Sequence, residues 1–242
     1  MNATPADAPP LQEFFILGNP RSGTSLLRNI LNAHPSVCVP PECGFLLWLA
    51  PRFTNATWDD ATKATFIDEV MCSKKFETWE LPRTDLEAVI MPARIGSYAE
   101  AASRVYVAYA RSRKRTISTW GDKNNYYIQH IPAIRALFPD ARYIHIVRDV
   151  RDVACSYLEL GRSTSGSDYY PDLSTDVEQA ATEWEANNAL IEHEARGNAS
   201  NYLLLRYEDL VHSFRSTIGT VFNFLGVGTP EGFNERDRKS VV

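Results

Sequence analysis

Cysteine is scarce, with four in 242 residues: Cys38, Cys43, Cys72 and Cys155. They form no C-x-x-C pair and no cluster with histidine, which argues against a zinc site and against a disulfide scaffold. The five histidines, His34, His130, His145, His193 and His212, show no metal-ligand spacing, so no metal is expected. Long apolar runs are missing too; none approaches the roughly 20 residues that a membrane span needs. There is no basic excess, since the net charge is −5, and a dedicated nucleic-acid binder usually carries one. The first ten residues are polar and proline-rich, without the basic start or apolar stretch of a signal peptide. We expect a disordered lead-in over 1–12, one domain over 13–242, and a reducing, cytoplasmic location. Nothing in the sequence bears on oligomeric state.

What is present begins at Phe14-Phe15-Ile16-Leu17, an apolar run that reads as a buried strand. Gly18-Asn19-Pro20-Arg21-Ser22-Gly23-Thr24-Ser25 follows, and Leu26, Leu27, Ile30 and Leu31 then give a helix over 23–33 an apolar face. A strand, a tight glycine turn and a helix start aim backbone N–H groups and a helix dipole at one point, which makes a phosphate site. Two glycines with four residues between them resemble a P-loop, but Thr24 stands where the P-loop lysine belongs. The turn is therefore built for phosphate without the group that reaches the β- and γ-phosphates of a nucleoside triphosphate.

The pattern then repeats. Short strands are expected at 37–39, 117–120, 143–147 and 202–206, and helices at 59–70, 97–110, 126–137, 177–195 and 214–225. A further helix follows Arg148-Asp149, with Val150, Val153, Ala154 and Tyr157 on one face. Residues 161–175 read as a mobile loop, and the basic run Arg111–Arg115 as a solvated helix end. His145 alternates with apolar residues and reads as structural. Strands alternating with helices predict a single α/β domain, a P-loop-NTPase-like parallel sheet with helices on both faces. Ligands bind such sheets at the carboxyl ends of the strands, where Arg21, Lys123, Arg148 and Tyr207 fall.

These motifs, in this order, resemble the sulfotransferases that use 3′-phosphoadenosine 5′-phosphosulfate, nearest the branch of tyrosylprotein and many bacterial sulfotransferases. The resemblance covers about 14–35, 117–160 and 202–225, and more weakly the surroundings of Glu42. It implies that Arg21, Ser22, Gly23, Thr24 and Ser25 hold the 5′-phosphosulfate, with the backbone amides of 22–25 contributing. It implies that Arg148 and Ser156, eight residues apart, hold the 3′-phosphate, and that Tyr207 in Arg206-Tyr207-Glu208-Asp209-Leu210 lies near the adenine. Glu42, in Pro40-Pro41-Glu42-Cys43-Gly44, matches the branch's glutamate base. Lys123, in Trp120-Gly121-Asp122-Lys123, matches the lysine that meets a sulfuryl oxygen and the leaving phosphate; Arg21 adds charge beside it. The expected product of the cofactor is adenosine 3′,5′-bisphosphate. The Arg-Lys-Gly motif of the cytosolic branch is absent. Arg238-Lys239-Ser240 only echoes it two residues before the end, so a truncated or different C-terminal lid is expected.

The acceptor, whether a small molecule, glycan or peptide, should draw on 42–115 and the 161–175 loop. Phe45, Leu46, Leu47, Trp48, Trp58 and Trp79 are candidates for an apolar pocket there, or for plain core. Two other readings compete with sulfuryl transfer. One is a P-loop small-molecule kinase, which needs Mg²⁺ and usually the missing lysine. The other is a non-catalytic nucleotide-binding or scaffold protein that keeps the fold.

Overall fold

The computed structural model describes residues 11–162, 173–174, 176–197, 199–230 and 233. The lead-in up to residue 10, most of the expected 161–175 loop, and Arg238-Lys239-Ser240 lie outside the described residues. Gln12, expected in the lead-in, already begins the first strand.

Strand β1 (Gln12–Leu17) enters the phosphate turn and α1 (Thr24–Asn32), followed by the short β2 (Val37–Cys38). A helical segment comes next: α2 (Phe45–Trp48), α3 (Ala50–Phe53), α4 (Asp60–Met71), α5 (Arg83–Ile90) and α6 (Tyr98–Ser112). Then come β3 (Thr119–Lys123), α7 (Ile131–Leu137), β4 (Arg142–Val147), α8 (Val150–Arg162), α9 (Val177–Ala195), β5 (Tyr202–Arg206), α10 (Tyr207–His212) and α11 (Phe214–Leu225). The strands form one parallel sheet in the order β2-β3-β1-β4-β5.

The apolar run in β1 is continuous because both of its faces are covered. Phe15 and Leu17 pack into a core with α4, α5, α6 and α7, while Phe14 and Ile16 pack into a second core with α1, α10 and α11. Register sets the site: Ile16 lies opposite Lys123, so β3 ends level with the start of the phosphate turn.

Three expectations need correction. The strand expected at 117–120 runs instead from Thr119 to Lys123, because Gly121, Asp122 and Lys123 are buried and pair with β1. The helix expected over 126–137 divides into a 3₁₀ turn (Asn125–His130) and α7, since Pro132 sits in the first turn of a new helix. The basic run is a solvated end only in part: Arg111 and Lys114 are exposed, but Arg113 and Arg115 are not. Arg113 donates to the Trp79 carbonyl at 2.7 Å and lies over the Tyr109 ring, and Arg115 donates to the carbonyls of His34 and Val37. Arg113 thus ties the end of α6 to the turn ahead of α5, and Arg115 ties the segment after α6 to the chain entering β2. His145 is structural as expected: its ring nitrogens meet the Tyr202 hydroxyl at 2.7 Å and Asn188 Oδ1 at 2.9 Å, and burial pulls its pKa down.

Candidate active site

The turn after β1 is shaped by close approach. A Cβ on Gly18 would sit 2.5 Å from the Ile146 carbonyl oxygen. Gly23 has φ +95° and caps α1, and a Cβ there would sit 2.4 Å from the Tyr207 ring. Arg21 also has a left-handed backbone, φ 69°, a conformation that costs an L-residue roughly 1–2 kcal/mol and collects at functional sites. Sequence reading missed Asn19, which is fully buried. Its Nδ2 donates to the Tyr157 hydroxyl and to the Pro20 carbonyl, both at 3.0 Å, while Asn187 donates to its Oδ1 at 2.8 Å. Asn19 thus ties the turn to α8 and α9. The Ser22 N–H, expected to face phosphate, is spent on the Asn19 carbonyl at 3.1 Å. No side chain caps α1, so its first-turn N–H groups remain as donors for an anion. Ser22 Oγ is buried without a partner among the described residues.

A second group gathers at the ends of β4 and β5. The Arg148 guanidinium lies 4.5 Å above the Tyr207 ring, and its Nη1 donates to the Arg21 carbonyl at 3.2 Å. Arg21 Nε donates to Ser156 Oγ at 2.8 Å. The structure therefore brings Arg21, Arg148, Ser156 and Tyr207 together, across a chain separation that no local pattern shows. Arg148 is only loosely paired with its acidic neighbours. Asp149 binds Arg151 at 2.6 Å, a contact that holds its carboxyl well below the usual range, and Asp152 approaches Arg148 only to 3.7 Å. Arg148 Nε is buried without a partner among the described residues. A cavity of about 330 Å³ opens beside it, bordered by Arg151, Trp184, Arg206 and Glu208.

The third group faces the start of the turn. Lys123, almost fully buried, donates from Nζ to Glu42 Oε1, and Lys75 Nζ stands 3.7 Å from Glu42 Oε2. The Trp79 indole N–H donates to the Pro41 carbonyl at 2.8 Å and so holds the segment that presents Glu42. Behind Lys123 lies Asp122, which sequence reading passed over. It is fully buried, accepts from the Tyr106 and Tyr127 hydroxyls at 2.5 and 2.6 Å, and accepts from the Lys123 N–H at 2.7 Å. Burial pushes its pKa up to about 6, against the lowering pull of those three donors. Its only sequence signal was an acid placed next to a lysine at a strand end.

The residues suit a nucleotide with phosphates at both ends. Ser22 Oγ in the turn and Arg148 Nε just beyond β4 are buried donors without a partner among the described residues, and the start of α1 supplies further N–H groups. Of the candidate acceptor pocket, Phe45, Leu46, Leu47 and Trp79 are core, and Trp58 packs against it. Trp48 differs: it is 42% exposed, and its ring centroid lies 6.3 Å from that of Tyr126.

A parallel sheet with a phosphate turn at β1 and arginine and lysine at neighbouring strand ends has the architecture of α/β proteins that bind phosphorylated nucleotides. A model of the sulfotransferase family matches residues 13–231, and the chain belongs to that family. The putative protein-tyrosine sulfotransferase of Caenorhabditis briggsae is 24% identical over 214 residues, which are 88% of this chain and 65% of that protein. The chain therefore spans less than two thirds of that relative's length. The sulfotransferase domain of the Synechococcus PCC 7002 olefin synthase shares the fold with a TM-score of 0.59 and 24% identity, covering 96% of this chain and 80% of that one. A mouse sulfotransferase complexed with PAP shares it with a TM-score of 0.52 and 14% identity, over 96% and 64%.

Proposed function

We propose that the protein transfers a sulfuryl group from 3′-phosphoadenosine 5′-phosphosulfate to a hydroxyl or amine acceptor. The observation that carries this reading is the meeting of Glu42 and Lys123, from segments 81 residues apart, level with the start of the phosphate turn. A base and a fixed cation at that place are what sulfuryl transfer asks of a protein. The bound cofactor supplies the activated sulfuryl group and the phosphate leaving group. The α1 N–H groups, Ser22, Thr24 and Ser25 hold its 5′ end, and Arg148 and Ser156 its 3′-phosphate. Tyr207, between Gly23 and Arg148, lies along the nucleoside. Glu42 takes the acceptor's proton, and Lys123 and Arg21 offset charge on the sulfuryl and leaving oxygens. The protein-tyrosine name of the Caenorhabditis relative supports a peptide or small-molecule hydroxyl as acceptor. We place its ring against Trp48 and Tyr126. Four free cysteines fit a reducing compartment, the cytoplasm.

The test is calorimetric titration with adenosine 3′,5′-bisphosphate and, separately, Mg-ATP. Micromolar or tighter binding of the bisphosphate, without comparable ATP binding, is expected. Arg148→Ala should weaken it by about 1.5–3 kcal/mol, the worth of a charged hydrogen bond. Preference for Mg-ATP would favour a kinase, and binding of neither would remove the cofactor from the reading.

A further inference from the structure

We propose that Asp122 is a positioning residue for Lys123, its carboxylate fixing the end of β3 and, through it, the ammonium group that meets Glu42. This rests on the sulfuryl-transfer reading. Asp122 joins three pieces of chain at one carboxylate. Oδ1 accepts the N–H of Lys123 itself, while Oδ2 accepts one hydroxyl from α6, Tyr106, and one from the 3₁₀ turn that leaves the site, Tyr127. Both phenols are rigidly held. Tyr106 stacks on Trp120 with centroids 3.9 Å apart, and Tyr127 meets Phe15 edge-on at 5.8 Å. The lysine side chain has four rotatable bonds and so profits from a backbone that cannot shift. None of the three donors is a cation, Arg28 of α1 attracts the carboxylate only through space, and a carboxylate buried with no cation among its hydrogen-bond donors costs stability that an apolar side chain would not. An acid kept there at such a cost, next to the lysine that reaches Glu42, points to service to the site.

Protonation would force one of the three donors to lose its acceptor. The groups whose charge or proton bears on Asp122 are Tyr106 from α6, Tyr127, Lys123 on its own strand, Glu42 and Cys43 ahead of α2, and Arg28 from α1. The sign is that of an acid whose folded pKa is raised. The folded state binds the proton more tightly, so the wild type loses stability as pH rises from its ordinary value of 3.8 to about 6. Asp122→Asn has no such loss and gains on the wild type across that window. A carboxylate that served only to hold the fold together in its charged form would show the reverse trend.

The experiment is a double-mutant cycle on bisphosphate affinity at pH 7.5, with thermal melts from pH 4 to pH 8. Asp122→Asn is expected to weaken binding nearly as much as Lys123→Ala, about tenfold. The double variant should bind no more weakly than Lys123→Ala alone, because both changes remove one interaction. Tyr106→Phe and Tyr127→Phe each delete a donor to the carboxylate, so their affinity should begin to fall on acidification at a higher pH than in the wild type. Wild-type affinity in Asp122→Asn, or a loss that adds to that of Lys123→Ala, overturns the proposal. Should that variant fail to fold, unchanged affinity-versus-pH curves in both phenylalanine variants overturn it. A wild type that does not bind the bisphosphate overturns the cofactor reading and this proposal together, so the two failures are told apart.

Discussion

Lys123→Ala should lower turnover about a hundred- to a thousandfold, the usual worth of one preorganised donor aimed at developing charge. Lys123 is almost fully buried and its Nζ is already placed on Glu42. Its charge therefore acts in a partly dry site, without reorganisation at the moment of transfer. Glu42→Gln keeps the shape and removes the proton acceptor, so it should cost about a hundred- to ten-thousandfold while leaving bisphosphate affinity nearly intact. The two losses should not multiply. Residues that act as one unit fail together, so the double variant should sit close to the worse single one. Single-turnover kinetics with an acceptor found by screening would measure all three. Near-wild-type turnover in Glu42→Gln would move the base elsewhere. Multiplying losses would separate the two residues into independent roles.

The contact between Glu42 and Lys123 also shows how far the sequence could be read. Local pattern carries what depends on neighbours in the chain. The apolar run of β1, the glycine turn and the face of α1 are such cases, and the spans of α9, β5 and α11 match their expected limits. It fails where tertiary burial decides. Gly121-Asp122-Lys123 looks like a turn because it contains glycine and two charges, yet pairing with β1 makes it the end of a strand. Arg113 and Arg115 look solvated because arginine usually is, yet backbone carbonyls from β2 and α5-proximal turns claim their guanidinium groups. Asn19 and Asp122 were invisible for the same reason. Their partners, Tyr157 and Asn187 in one case and Tyr106 and Tyr127 in the other, come from elements that only the fold brings near.

The phosphate turn shows the same division within a single motif. Its glycines were legible; what each one makes room for was not. Gly18 admits the Ile146 carbonyl, so β4 can lie close beside the turn. Thr24, in the place of the P-loop lysine, is nearly buried, with its methyl 3.0 Å from where a Gly18 Cβ would lie. That side chain fills space under the turn, while the positive charge around it stands outside the helix, on Arg21 in the turn, Arg148 just past β4 and Lys123 at the end of β3. Charge supplied from a neighbouring strand end can be placed at the far end of a nucleotide, which a lysine on the helix itself cannot do.

Gly23→Ala should both destabilise the fold and abolish bisphosphate binding. Two separate penalties meet there. The backbone is left-handed at φ +95°, which costs an L-residue roughly 1–2 kcal/mol. The new methyl would also stand 2.4 Å from Tyr207 Cδ2, an overpacking that typically costs ~1–3 kcal/mol. Tyr207 cannot yield freely, because Arg148 lies over its ring. The strain would therefore be passed to Arg148. The two penalties can be separated. Adding Tyr207→Ala should recover the steric part of the lost stability in a denaturant melt, but not the backbone part, and it should not restore binding. Full recovery of stability in the double variant would mean that the backbone at Gly23 carries no strain. Retained binding in Gly23→Ala alone would mean that the turn can shift without harm, and the phosphate would then have to be held chiefly by side chains rather than by the α1 amides.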